Sequence, residues 1–246
     1  METKRFTKTI EYNAVKDYQM PELLPTISID FSDDLNKTLK QVCYKVNIPE
    51  DQLKAILEPS PVIKTTELSK YSKWDIDFLI DYIIRNHHQY TKNSAVAIYV
   101  LAQKVTNSNG EKHPEFSKLN TQIFLFFHDL LNHIMKEESI LFPSIKQLIK
   151  NRSFSGKGTY LSSGLIKDSI QLMQREHYVA GRYLRTLRKM TNNYKASADA
   201  GHSCRDLFEK MEKFELNLLV HMHLESNILF PKAIELDESM EQDTSS

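Results

Sequence analysis

The chain has 246 residues, with 32 Lys and Arg set against 32 Asp and Glu. It therefore carries no net field that would draw it to nucleic acid or to an anionic membrane, and no basic stretch does so locally. The opening METKRFTKTIEYNAVKD lacks the apolar segment and small-residue cleavage site of a signal peptide. The most apolar run, IFLFFHDLLNHIM, is too short and too interrupted by His and Asp to span a bilayer. Only Cys43 and Cys204 are present, without C-x-x-C spacing, which fits a reducing, cytoplasmic setting and ordinary helix-face cysteines.

Residues 1–70 hold Pro21, Pro25, Pro49, Pro59 and Pro61, so helices there must be short. SDDLNKTLKQVCYKV, with Ser32 or Asp33 as N-cap, and EDQLKAIL, entered through Pro49, are the candidates for a small helical module and linker. From Ser72 onward apolar residues recur with a period near 3.6. The first long helix is expected from about Trp74 to Val105 behind a Ser72/Asp75 capping arrangement, and the second from Pro114 or Glu115 to Ile149, kinked or ended by Pro143. The third should cover roughly Gly164–Met190 and the fourth Ser203–Ile234, followed by an acidic, disordered tail over 237–246. The fold class is therefore all-α: an antiparallel four-helix bundle over 71–236 with the small module in front.

The bundle contains a repeat. HIMKEESILFP, 133–143, returns 88 positions later as HMHLESNILFP, 221–231, and the preceding stripe repeats too, Phe126 with Phe214, Leu130 with Leu218, Leu131 with Leu219. Phe126, Leu130, His133, Glu137 and Ile140 follow four-three spacing and are expected on one inward face. A histidine and a carboxylate in an apolar stripe cost free energy unless each finds a partner. Residues four apart on a helix address a common point, so His133 with Glu137, and His221 with Glu225, can meet at one centre. His88 precedes His133 by 45 residues and His177 precedes His221 by 44, so a helical hairpin carrying one His and then H-x-x-x-E occurs twice.

His88, His133, Glu137, His177, His221 and Glu225 are too many ligands for one tetrahedral zinc, and H-E-x-x-H is absent. Two ions fit better, and imidazole with carboxylate inside a bundle suits iron or manganese. With both glutamates and one oxygen bridging, roughly two of about twelve coordination positions stay open to a small ligand.

HIMKEESILFPSIKQ, MQREH, HMHLESNILFP and IDYIIRNHH together resemble the ligand motifs of the hemerythrin-like group, and specifically of its iron-sulfur cluster repair members, the repair of iron centres family. The likeness covers about residues 72–236. It implies a non-haem di-iron site with a bridging oxo or hydroxo group, held by the six residues above with His88, not His87, in the first position. It also implies repair of clusters damaged by nitrosative or oxidative stress, through iron donation or nitric oxide handling, with damaged iron-sulfur proteins as partners and a homodimer allowed. Reversible oxygen or nitric oxide binding is the alternative, although hemerythrin itself uses five histidines. The family's small N-terminal domain carries a cysteine pair, which falls here at Ser32 and Asp33, so this module is degenerate. His113 and His128 are candidates to support the site from outside, whereas His87 and His223 are expected to face away or fill polar gaps.

Overall fold

The computed structural model describes residues 37–46, 69–109, 113–153, 165–197 and 200–244. The chain divides into two compact units, Met1–Lys73 and Trp74–Ser246. In the first, helix α1 (Leu39–Val46) begins with a capping box. Thr38 Oγ1 accepts from the Gln41 N–H at 3.2 Å and Gln41 Oε1 accepts from the Thr38 N–H at 2.8 Å, the reciprocal satisfaction of two orphan donors. The cap of this helix is thus Thr38; the expected caps Ser32 and Asp33 and the segment EDQLKAIL lie outside the described residues.

The second unit is built from long helices. Helix α2 comprises Ile76–Ile83, a π-helical turn Ile84–His88 and Gln89–Asn109. Helix α3 comprises Glu115–Lys136, a π turn Glu137–Leu141 and Phe142–Ser153. Helix α4 is Leu165–Met190, and α5 comprises His202–Leu224, a π turn Glu225–Leu229 and Phe230–Thr244. No β-strand occurs among the described residues, and no described helix is long and apolar enough to cross a membrane.

Cross-links show that neighbours run antiparallel. Lys146 near the end of α3 donates to Asp81 near the start of α2 at 2.6 Å, while Thr106 late in α2 donates to the carbonyl of Phe116 early in α3. Helix α2 packs on α3 and α5, and α4 packs on α3 and α5, closing the bundle around Leu79, Ile80, Phe126, Phe142 and Phe230, all fully buried.

Local differences from expectation have physical causes. Ser72 falls in a 3-10 turn (Ser69–Lys73), and the helix itself starts at Ile76 with Asp75 at its N-cap, where the Asp75 side chain makes no cap bond. The tail expected to be disordered continues α5 as far as Thr244, because Leu236 and Asp237 are buried and hold its first part to the bundle.

Helix α4 ends in a left-handed run, Asn192, Asn193 and Tyr194, at φ 48, 55 and 59°. Asparagine tolerates that region, but tyrosine adopts it only at a cost. Tyr194 is held by donation from its hydroxyl to Glu215 Oε2 at 2.5 Å and from its backbone N–H to Thr191 Oγ1 at 3.1 Å. Arg188 pairs with the same buried glutamate. Replacing Tyr194 by Phe withdraws a donor from Glu215 and should cost about 1–3 kcal/mol in chemical denaturation, with helicity unchanged.

Candidate metal centre

Each of the six residues singled out in the sequence comes from the middle of a bundle helix. His88, Glu137, His221 and Glu225 are fully buried, and His133 and His177 nearly so. The three π turns decide how they face. Each turn accommodates one extra residue, so the next N–H reaches back five residues: Gln89 to Ile84, Phe142 to Glu137, Phe230 to Glu225.

In both copies the π turn starts at the glutamate and is followed at once by Phe-Pro. Proline cannot donate to the carbonyl four residues back, so the α ladder must be interrupted there. The wide turn makes that interruption without ending the helix, and α3 runs on to Ser153 rather than stopping or breaking at Pro143. Within the turns the two copies differ, since Ile228 is buried. Its counterpart Ile140, expected inward, is 58% exposed, and Leu141 and Phe142 take the core in its place. The phenylalanines are then delivered onto imidazoles of the neighbouring helix. Phe142 stacks on His88 at 5.6 Å between centroids and Phe230 stacks on His177 at 5.9 Å.

The six side chains converge as two groups, His88, Glu137, His221, Glu225 and His133, Glu137, His177, Glu225, each with ligand atoms within 4.8 Å of one another. Both carboxylates belong to both groups. Glu137 turns Oε2 to His88 and Oε1 to His133, each at 3.4 Å. Glu225 turns Oε1 to His221 at 2.8 Å and Oε2 to His177 at 3.1 Å. The Nε2 atoms of His88 and His221 are 3.0 Å apart, and those of His133 and His177 are 3.1 Å apart.

The other face of each ring shows which nitrogen is free to bind. Nδ1 of His88 donates to Glu138 at 2.9 Å, that of His133 to Glu176 at 2.9 Å, and that of His177 to Ser226 at 3.0 Å. The Nε2 lone pairs are thereby aimed inward, the arrangement that outer partners impose on metal-binding histidines. Glu138 is paired in turn with Lys92, and Glu176 with Lys136.

Electrostatics within the polypeptide are frustrated. Burial and the neighbouring Glu225 push the Glu137 carboxyl up. Glu225 is held well below the usual carboxylate range: burial opposes this, but His221, His177 and His88 outweigh it. Burial likewise opposes protonation of His88, yet Glu137 and Glu225 hold it up to about 10, while burial drives His221 down to about 3. Both oxygens of Glu137 and Oε2 of Glu225 are buried without a hydrogen bond, although ring nitrogens stand within 3.4 Å. Two carboxylates and four imidazole nitrogens gathered this closely, with three carboxylate oxygens left without a hydrogen bond, are a donor set for a cation. Two nitrogens with two shared carboxylates per group suit two ions of the iron or manganese type.

A cleft of about 300 Å³ between α3 and α4 reaches His133 and His177, with Lys136, Glu176, Asp129, Tyr183 and Phe126 among its walls.

The family profile described as the hemerythrin HHE cation binding domain matches residues 79–233, which include all six residues. The chain belongs to the hemerythrin family. Within that family it is 33% identical over 156 residues to a probable iron-sulfur cluster repair protein of Haemophilus influenzae, a match covering 63% of this chain and 64%, just under two thirds, of the relative. It is 28% identical over 219 residues to the iron-sulfur cluster repair protein YtfE of Yersinia pseudotuberculosis, covering 88% of this chain and 91% of that one. The corresponding protein of Musicola paradisiaca is 28% identical over 212 residues, covering 86% and 89%. Hemerythrin domains bind metal ions, and the His and Glu cluster in this hemerythrin bundle could hold them.

Of the other histidines, His113 and His128 sit differently from expectation, while His87 and His223 fill polar gaps against asparagines. His113 is exposed and bonded to Glu115 at the start of α3, and His128 is exposed and bonded to Asn132; neither supports the cluster. His223 is bonded to Asn227. His87 does not face away: it is 4% exposed and lies parallel to the ring of His221. The partners Glu138, Glu176 and Ser226 went unrecognised in the sequence, though each is adjacent in the chain to one of the six.

Contact with His133 first, then Lys136, holds the Glu176 carboxylate down to about 2, against 4.5 ordinarily. The stabilisation this represents is fully present above the ordinary value and is lost as pH falls from there toward about 2. Denaturation followed between pH 5 and pH 2 (approximate bounds of that window) should therefore show a steeper loss in the wild type than in Glu176→Gln.

Proposed function

We propose that this chain is a cytoplasmic di-iron protein that restores iron-sulfur clusters damaged by nitrosative or oxidative stress, with damaged iron-sulfur proteins as its clients. The observation that carries the reading is the sharing of both buried carboxylates between two histidine pairs, one oxygen turned to each side. His88, His133, Glu137, His177, His221 and Glu225 would hold two non-haem iron ions with a bridging oxo or hydroxo group. When bound, such a pair supplies one-electron chemistry and open positions for a small ligand such as nitric oxide or oxygen. Relatives that span nearly the whole chain are named as iron-sulfur cluster repair proteins, which supports the same reading.

The polypeptide's own part is clear in its residues. Glu138, Glu176 and Ser226 keep Nε2 of three imidazoles pointed inward. The apolar wall of Phe126, Leu130, Phe142 and Phe230 excludes bulk water and raises the value of each charge interaction. The cleft beside His133 and His177 lets a small ligand approach one side of the centre, and Lys136 and Glu176 line it. Carboxylates can exchange one binding mode for another with little backbone movement, which suits a site that gives up iron as well as holding it. The same cleft supports the second reading, reversible binding of oxygen or nitric oxide.

Purified wild-type protein should contain two irons per chain, and His133→Ala or His221→Ala should lose them while far-ultraviolet circular dichroism stays helical. Glu225→Leu should weaken or uncouple the pair while the bundle stays helical; unchanged iron stoichiometry and spectra would remove Glu225 from the set. To separate the two functions, iron-loaded protein is mixed with a nitrosylated iron-sulfur enzyme. Recovery of that enzyme's activity and iron, absent with His133→Ala, supports repair, whereas stable ligand binding with no recovery supports a sensor.

A further inference from the structure

The duplicated hairpins are not chemically equal, and the difference falls on His221. Superposing the copies sets His133 on His221, Lys136 on Leu224, Asp129 on Asn217, and Glu176 on His87. In one copy Nδ1 of His133 donates to Glu176, and Lys136 neutralises that acid. In the other, acid and lysine are replaced together. Leu224 is fully buried, and the position of the acid is taken by the imidazole of His87. A carboxylate at 87 would face no cation from position 224, and burying it unpaired would be costly; an aromatic ring avoids that cost.

His87 is itself fixed. Nδ1 lies 3.1 Å from Asn217 Oδ1, and the ring packs edge-on to Tyr82 at 5.7 Å. Its plane lies within 10° of that of His221, with centroids 5.7 Å apart, in the range of an offset stack. On another side the His88 ring meets His221 at 66° and 4.7 Å. His221 Nδ1 has no hydrogen-bond partner, unlike Nδ1 of the other three histidines. Glu225 meets the ring at Nε2, and on the Nδ1 side ring packing is what holds it.

We propose that His87 is a positioning residue: anchored on Asn217, it stacks against His221 and holds that ring toward the centre, where the other copy uses the Glu176–Lys136 pair. The inference rests on the di-iron reading above. It makes His221 the one imidazole of the four whose Nδ1 side is held by stacking and not by a hydrogen bond, and the ion beside His88 and His221 the one whose retention depends on His87.

The full-length chain is loaded with ferrous iron, and release to a bipyridine-type chelator is timed for wild type, His87→Ala, His87→Phe and Asn217→Ala, with helicity and Mössbauer spectra recorded for each. His87→Ala should release one of the two irons about tenfold faster, as loss of an outer partner commonly does, and should alter one iron environment while sparing the other. His87→Phe keeps a flat ring and should behave as wild type, and Asn217→Ala should fall between. Release from His87→Ala at the wild-type rate, or from His87→Phe as fast as from His87→Ala, overturns the proposal. If His87→Ala does not fold, His87→Phe against Asn217→Ala carries the test: equal release from the two overturns it. A wild type that takes up no iron sinks the di-iron reading itself; a wild type with two irons that is indifferent to position 87 sinks only this inference.

Discussion

An ionised carboxylate moved from water into an apolar interior carries a penalty of several kcal/mol even after relaxation, and here Glu137 and Glu225 are buried side by side. Four imidazoles surround them, and Nδ1 of three of the rings is engaged outward with Glu138, Glu176 and Ser226. The interior is left with more acceptor atoms than hydrogen bonds to satisfy them, both oxygens of Glu137 among them. Much of the bundle serves that imbalance: the phenylalanines stacked on His88 and His177, the outward acids with their lysines, and the helix registers that bring six side chains from separate elements to one point.

The duplication distributes this support unevenly. Acid-lysine pairs back His88 and His133, one from each histidine pair, whereas Ser226 backs His177 and a ring faces His221. Each side of the centre therefore has one strongly polarised imidazole and one that is not. The charge of the outer acids is offset locally by Lys92 and Lys136.

The positions of the helices and the six central residues could be read from the chain because a histidine or glutamate inside an apolar stripe is conspicuous, and two copies in one order are harder to ascribe to chance. The outward partners were not legible for the opposite reason. Glu138 with Lys92 and Glu176 with Lys136 use residue types that decorate any solvated helix face, and nothing in composition separates a structural acid from a solubilising one. His87 beside His88 was ambiguous because adjacent residues on an ideal helix point about 100° apart, and only the local winding determines where both go. Ile140 is exposed while its counterpart Ile228, in the same kind of turn, is buried, a difference in surroundings that periodicity along one helix does not carry. The α1 cap was missed in favour of earlier candidates, although Thr38-x-x-Gln41 carries its own signature.

The π turns have one more consequence. A π turn is a one-residue insertion in an α-helix, less favourable than the regular helix around it and frequent at functional sites. Three of them contain or border His88, Glu137 and Glu225, so winding and donor geometry form a single equilibrium. An ion that prefers the wound-out form stabilises those turns by mass action, in proportion to its concentration over its dissociation constant. Any such preference would be felt along the helices themselves, from the centre toward the residues that follow each Phe-Pro step.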